Sequence, residues 1–214
     1  MRIPYHIAIE GAIGVGKSSL AKILGEHLNA KLIFEEFEDN PFLTDFYKNS
    51  EHYAFQTQLF FLLSRYRQQQ LLQQTDLFTK TLISDYMFVK DRLFAALNLN
   101  DKEMSLYNTV AKILEQSISF PDMVIFLQSD TDRLMKNIKI RGREYEKMID
   151  WKYIDALNQM YNEYFFRYDS SPLLIINTND IDFVNNNNDL ENILEFIRTP
   201  GQGTRYYNPL KSIG

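Results

Sequence analysis

The residues Gly11-Ala12-Ile13-Gly14-Val15-Gly16-Lys17-Ser18 combine glycines, a lysine and a hydroxyl at the G-x-x-x-x-G-K-[ST] spacing. That chemistry needs backbone N–H groups turned inward around a phosphate, at the positive end of a helix dipole. Lys17 would then reach the β- and γ-phosphates, and the Ser18 hydroxyl would ligate Mg²⁺. The competing reading is a glycine-rich turn that caps an ordinary helix. The flanking residues favour the phosphate. The apolar run from Tyr5 to Ile9 reads as a buried strand, and Leu20, Ala21, Ile23, Leu24 and Leu28 share one helix face. The stretch therefore predicts a nucleoside triphosphate site.

Carboxylates and arginines elsewhere could complete a phosphoryl-transfer centre. Glu35 follows the short apolar run Lys31 to Phe34 and would face the phosphate edge, where it could take the proton of an attacking hydroxyl. Glu36 competes for that role, because strand ends read from sequence only to within a residue or two. Asp85 ends Leu82-Ile83-Ser84, the place of the acidic Mg²⁺ ligand (direct or through water) of P-loop enzymes. It equally fits an N-cap, and the two roles are compatible. Arg141 and Arg143 flank Gly142 as in a mobile lid whose guanidinium groups meet the transferring phosphoryl. Arginines there would also complement a helix dipole. His6, His27 and His52 show no ligand spacing, and Trp151 with the tyrosine-rich helix after it reads as core.

These groups need a scaffold that gathers strand ends on one edge. Further strands are expected at Leu82 to Asp85, Met123 to Leu127 and Leu173 to Ile176. Helices are expected at Pro41 to Tyr47, Tyr53 to Gln74, Met87 to Leu97, Asp101 to Ser117, Thr131 to Ile140, Asp150 to Tyr168 and Leu190 to Ile197. In the long helix, Leu59, Leu62, Leu63, Tyr66 and Leu71 form the expected core face, while Gln68-Gln69-Gln70 and Gln73-Gln74 look solvated. Short apolar strands alternating with helices call for a mainly parallel sheet covered on both faces. Right-handed crossovers place all its strand C-termini on one edge, where ligands sit. One domain spans 1–198, with an Asn-rich loop at Asn185 to Asn188. The Pro-, Gly- and Asn-rich residues 199–214 read as a surface-laid or disordered tail.

Composition narrows the partners. In 214 residues, 45% are hydrophobic and 24% charged, the balance of an ordinary globular protein. The net charge of −5 gives no basic field for nucleic acid or an anionic membrane. Cysteine is absent, which excludes disulfides and thiol chemistry. The first strand begins at once, leaving no room for a signal peptide, and no apolar run approaches the ~18 residues of a membrane span. A soluble, cytoplasmic protein is expected.

Together the motifs resemble the deoxynucleoside kinase family, in its bacterial deoxyadenosine and deoxyguanosine kinase branch. The matching stretches are GAIGVGKSS from Gly11, EEFEDNPFL from Glu35, FQTQLFFLLSRYRQ from Phe55, SDYMFVKDRLFA from Ser84 and IRGREYE from Ile140, in family order. The resemblance implies an α/β P-loop kinase fold: a five-stranded parallel sheet in the order 2-3-1-4-5, flanking helices and a small arginine lid. It also implies a homodimer packed through long helices. ATP would be bound by Gly11, Ala12, Ile13, Gly14, Val15, Gly16, Lys17, Ser18 and Ser19, with Mg²⁺ on Ser18 and Asp85. Glu35 would be the base, assisted by Lys17, Arg141 and Arg143. Tyr47 and Glu146 would hold a 3′-hydroxyl, and Gln58, Arg65 and Asp91 would read the nucleobase. Three positions depart from the family pattern. Glu36 replaces a proline, Tyr86 replaces the arginine that commonly follows the acidic residue, and Asn137 stands where an adenine-packing arginine is often found. The Asp85-Tyr86 pair resembles deoxyguanosine kinase-like members and implies a purine substrate.

The implied reaction is Mg²⁺·ATP-dependent phosphorylation of a deoxyribonucleoside 5′-hydroxyl, in nucleotide salvage. A nucleoside monophosphate kinase such as thymidylate kinase is one alternative. It needs cations beside the acceptor phosphate, where this chain has Glu36, Glu38 and Asp39. A P-loop switch is another. Guanine-specific switches carry Asn-Lys-x-Asp, and Asn177-Thr178-Asn179-Asp180 lacks the lysine.

Overall fold

The computed structural model describes residues 5–73, 80–179, 181, 183, 186–199 and 201–208. In chain order the elements are β1 (His6–Glu10), α1 (Lys17–Leu28), β2 (Lys31–Ile33), α2 (Leu43–Lys48), α3 (Ser50–Gln73) and β3 (Leu82–Ser84). They continue with α4 (Lys90–Asn98), α5 (Asp101–Glu115), β4 (Met123–Gln128), α6 (Thr131–Arg141) and a short 3-10 turn (Glu144–Met148). The chain closes with α7 (Trp151–Phe166), β5 (Leu173–Asn177), α8 (Asn187–Arg198) and β6 (Thr204–Tyr207). Gln74, Asp180, Asn185, residues 209–214 and the Leu71 side chain lie outside the described residues.

All strands pair in parallel, in the order β2-β3-β1-β4-β5-β6. The central position of β1 explains its unbroken apolar run. Ile7, Ala8 and Ile9 are fully buried because helices cover both faces of the sheet. Five strands take the expected order, and the sheet has a sixth. Thr204 to Tyr207 lie beside β5, where the tail was expected to be irregular. Composition hid this strand, because Gly201 and Gly203 punctuate its start. The free edge of β5 supplies the reason for pairing, and Arg205 adds hydrogen bonds to the Thr199 and Phe196 carbonyls that end α8, at 2.9 and 2.6 Å.

The helices also correct two expectations. On α3 the buried face carries Ala54, Thr57, Gln58, Leu62, Arg65, Gln68 and Gln69, while Leu63 is 39% exposed. Gln68 is no solvated residue, since its amide donates to the Phe34 carbonyl at 3.3 Å. This helix lines a polar site, so its inward face is not its most apolar one. Trp151 is exposed at the start of α7, where its indole N–H donates to Asp132 at 2.7 Å. The rest of α7 is core as expected. Phe165 stacks on Phe126 with ring centroids 4.4 Å apart. Among the described residues, no helix is long and apolar enough to cross a membrane.

Candidate active site

The turn after β1 has the geometry of a phosphate cradle. Gly11 and Gly14 adopt φ of 149° and 88°. A Cβ at Gly14 would stand 2.7 Å from the Leu134 carbonyl oxygen, and one at Gly11 would stand 2.5 Å from that of Leu127. Neither position admits a side chain. α1 then opens behind Gly16 without a side-chain cap, which leaves its first N–H groups for an anion. Lys17 lies across the turn and donates to the Gly11 and Ala12 carbonyls at 2.8 and 3.1 Å. Beneath it, the buried Glu10 carboxylate accepts from the backbone N–H of Met87 at 2.6 Å and of Gly11 at 3.1 Å. The loop is thereby tied to the segment after β3.

Asp85 joins the cradle to the next strand end. One of its oxygens accepts from the Ser18 hydroxyl at 2.5 Å and the other from the Glu35 backbone N–H at 2.9 Å. This pair of hard oxygen donors fits Mg²⁺, which keeps several waters and takes one or two protein ligands plus phosphate. Among the described residues, no group of three or more His, Cys, Asp or Glu side chains is placed to hold a metal ion alone.

Above the cradle opens a cavity of about 510 Å³. Ile13 to Ser19 line one end, and Tyr47, Gln58, Arg65 and Glu146 line the other. Glu35 and Lys90 line the same cavity. The Glu35 carboxylate is gripped by two cations, Arg65 on Oε1 and Lys90 on Oε2, and Arg65 is in turn bound by Asp91. Burial alone would raise the Glu35 pKa, but Arg65 and then Lys90 override it and hold the carboxylate well below its usual range. Lys17 is pulled down to about 8, first by burial and then by Lys90. Glu146 receives both lid arginines: Arg141 Nε and Nη2 at 3.1 and 2.5 Å, and Arg143 Nη1 at 3.5 Å. The Arg143 guanidinium also stacks 4.1 Å from the centre of the Phe37 ring.

The family model for deoxynucleoside kinases matches residues 7–200. The chain belongs to the deoxynucleoside kinase family. It is 34% identical to a deoxyadenosine kinase of Dictyostelium discoideum, over 96% of this chain and 82% of that one. It is also 34% identical to a deoxyguanosine kinase of Bacillus subtilis, over 90% and 95%. Among solved structures, deoxyadenosine kinase from M. mycoides with bound dATP superposes with a TM-score of 0.78 at 25% identity, covering 91% of this chain and 99% of that one.

In this kinase the expected site residues fall into three groups. Those from Ile13 to Ser19, with Glu35, Tyr47, Gln58, Arg65, Asp85, Arg141, Arg143 and Glu146, line the cavity together. Gly11 and Ala12 form the floor of the turn beneath Lys17. Asp91 is the departure. Expected among the base contacts, it is fully buried behind Arg65 and outside the cavity lining; one oxygen accepts from Arg65, and the other has no hydrogen-bond partner among the described residues. Glu36 is exposed, so of the two neighbouring glutamates it is Glu35 that lines the cavity. Tyr86 is buried beside Arg65, its ring centre 6.0 Å from the guanidinium carbon.

Sequence reasoning missed Lys90 and Glu10, and it noted Asn137 only as a departure from the family pattern, where its amide donates to the Gly14 carbonyl at 2.8 Å. Lys90 did leave a signal. A lysine as the first residue of a helix opposes the helix dipole, so an anion nearby was to be expected. Glu10 left none, because an acid ending a buried strand reads as a strand boundary.

Proposed function

We propose that this kinase transfers the γ-phosphate of Mg²⁺·ATP to the 5′-hydroxyl of a deoxyribonucleoside, with deoxyadenosine or deoxyguanosine favoured. The carrying observation is the Glu35 carboxylate, which faces a cavity walled by the P-loop on one side and by Gln58 and Arg65 on the other. The P-loop N–H groups and Lys17 bind the triphosphate, and Ser18 and Asp85 would hold the Mg²⁺, which neutralises charge on its oxygens. Glu35 takes the 5′-hydroxyl proton as the new O–P bond forms and ADP departs. Arg141 and Arg143 leave Glu146 for the phosphoryl oxygens, and Glu146 with Tyr47 receives the 3′-hydroxyl.

Base choice rests on Gln58, whose buried Oε1 has no hydrogen-bond partner among the described residues and awaits a donor from the nucleobase. The relatives named deoxyadenosine and deoxyguanosine kinase support a purine. A monophosphate acceptor would need further cations beside Glu35, where the chain instead exposes Glu36, Glu38 and Asp39. Leu63 on α3, with Leu106 and Ile113 on α5, is exposed, and this supports a homodimer packed through those helices. Sedimentation at micromolar concentration tests the dimer. Phosphorylation of the four natural deoxynucleosides tests the activity. A purine should lead thymidine in kcat/KM. A thymidine preference overturns the base reading, and turnover that ignores the acceptor overturns the reaction.

A further inference from the structure

Lys90 is buried at 5% exposure, and its ammonium opens α4 against the positive end of that helix. Such a placement is unfavourable without an anion. Glu35 Oε2 supplies one, and the lysine stem passes the Phe94 ring, with Nζ 5.6 Å from its centre. Lys90 lines the same cavity as Lys17, and each of the two ammonium groups acts on the buried Glu10 between them. Two buried cations on one cavity wall mark a place for concentrated negative charge.

The pairing also constrains the base. Each Glu35 oxygen accepts from a cation, which lowers the basicity of the carboxylate, so release of one cation makes it a better acceptor for the 5′-hydroxyl proton. Oε1 is held by Arg65, which is fixed from behind by Asp91 and flanked by the Phe61 ring at 4.9 Å. Oε2 is held by Lys90, whose ion-pair partner among the described residues is Glu35 alone. The oxygen that can be freed is therefore Oε2.

We propose that Lys90 is a catalytic residue whose ammonium shifts from Glu35 onto an oxygen of the transferring phosphoryl group, freeing Oε2 for the 5′-hydroxyl proton. This rests on the phosphoryl transfer proposed above. In the step, the bond from the nucleoside 5′-oxygen to the γ-phosphorus forms and the bond from that phosphorus to the β,γ-bridging oxygen breaks. The hydroxyl proton passes to Glu35, ADP leaves, and Lys90 keeps its protons, donating hydrogen bonds only. Arrival of the phosphoryl charge thus switches on the base.

The test compares wild type, Lys90→Met and Lys90→Arg with the preferred deoxynucleoside and either ATP or ATPγS. Lys90→Met keeps the apolar stem and should lower kcat by about 10²–10³-fold, the cost of one donor to developing charge, with little change in nucleoside KM. Lys90→Arg keeps a cation but changes its fit to the phosphoryl oxygens. Its ratio of kcat with ATP to kcat with ATPγS should differ several-fold from that of wild type. A Lys90→Met variant with near-normal kcat, or with its loss entirely in nucleoside KM, overturns the proposal. So does a wild-type ATP/ATPγS ratio in Lys90→Arg, which decides alone if Lys90→Met does not fold. Wild-type protein that phosphorylates no deoxynucleoside overturns the parent reaction instead, and is read before any variant.

Discussion

The donor and acceptor ends of the cavity are built on opposite principles. The donor end is one contiguous turn, Gly11 to Ser18, whose chemistry belongs to the backbone and needs glycine chiefly where a Cβ would strike a carbonyl. The acceptor end takes Glu35 from the end of β2, Gln58 and Arg65 from α3, Lys90 from α4 and Glu146 from the turn after α6. Its charges are buried and hold one another. A backbone cradle tolerates loss of a side chain. A closed set of buried charges does not, because each removal strands a partner.

Glu35→Gln attacks the acceptor end directly. General-base removal should lower kcat about 10²–10⁴-fold, while the amide keeps the shape for nucleoside binding. It also leaves Lys90 without its anion, so the thermal midpoint should fall. Lys17→Met, at the donor end, gives up hydrogen bonds to backbone carbonyls while Glu10 keeps Lys90 as a counter-charge, so its midpoint should fall less. Equal losses of stability in the two variants would erase the contrast. Near-normal turnover in Glu35→Gln, with loss in Glu36→Gln, would move the base by one residue.

The lid arginines bridge the two ends. Arg141→Ala and Arg143→Ala should each lower kcat about 10²-fold, the scale for one donor to developing charge, with a smaller rise in acceptor KM. Both arginines pair with Glu146, so a contact with phosphoryl oxygens would be newly gained during reaction. Normal kcat in both variants would reduce them to partners of Glu146.

The same contrast explains what the sequence disclosed. A turn whose residues are neighbours in the chain carries its geometry in its spacing, so the P-loop was legible, while the order of five strands came from the family resemblance. Lys90 and Glu35 are 55 positions apart, and no spacing rule joins them. On α3, apolar periodicity pointed to Leu63, yet the helix turns Gln58, Arg65 and Gln68 inward to a polar cavity. The sixth strand was hidden for a similar reason, since what makes Thr204 to Tyr207 a strand is the open edge of β5.

The third prediction concerns the sugar. A 2′,3′-dideoxynucleoside would leave Glu146 and Tyr47, which line the cavity, without the hydroxyl proposed for them. The cost of that lost partner is about 1–3 kcal/mol, or roughly 5- to 150-fold in kcat/KM. Equal activity on the deoxy and dideoxy forms would dismiss this pair as the sugar contact. It would leave Glu146 as the anchor of the lid alone.

The smallest effect separates the two ends by pH. Lys17 must be protonated to meet the triphosphate, and its pKa in the free enzyme is lowered to about 8 by burial and by Lys90. Protonated enzyme is therefore lost as pH rises through that value. kcat/KM for ATP should be halved near pH 8 and fall about tenfold by pH 9, since this parameter reports the free enzyme. Glu35 works in the opposite sense, being active only when ionised. Burial would raise its pKa, but Arg65 and Lys90 hold it below the ordinary range, so its acid limb lies below the usual carboxylate value of about 4.3. kcat/KM for the nucleoside should thus stay level from neutrality down to about pH 5. An acid limb near pH 6 in that profile, abolished by Glu35→Gln, would mean that the two cations do not grip the carboxylate in solution. A flat ATP profile through pH 9 would mean that burial and Lys90 together do not lower the Lys17 pKa in the free enzyme.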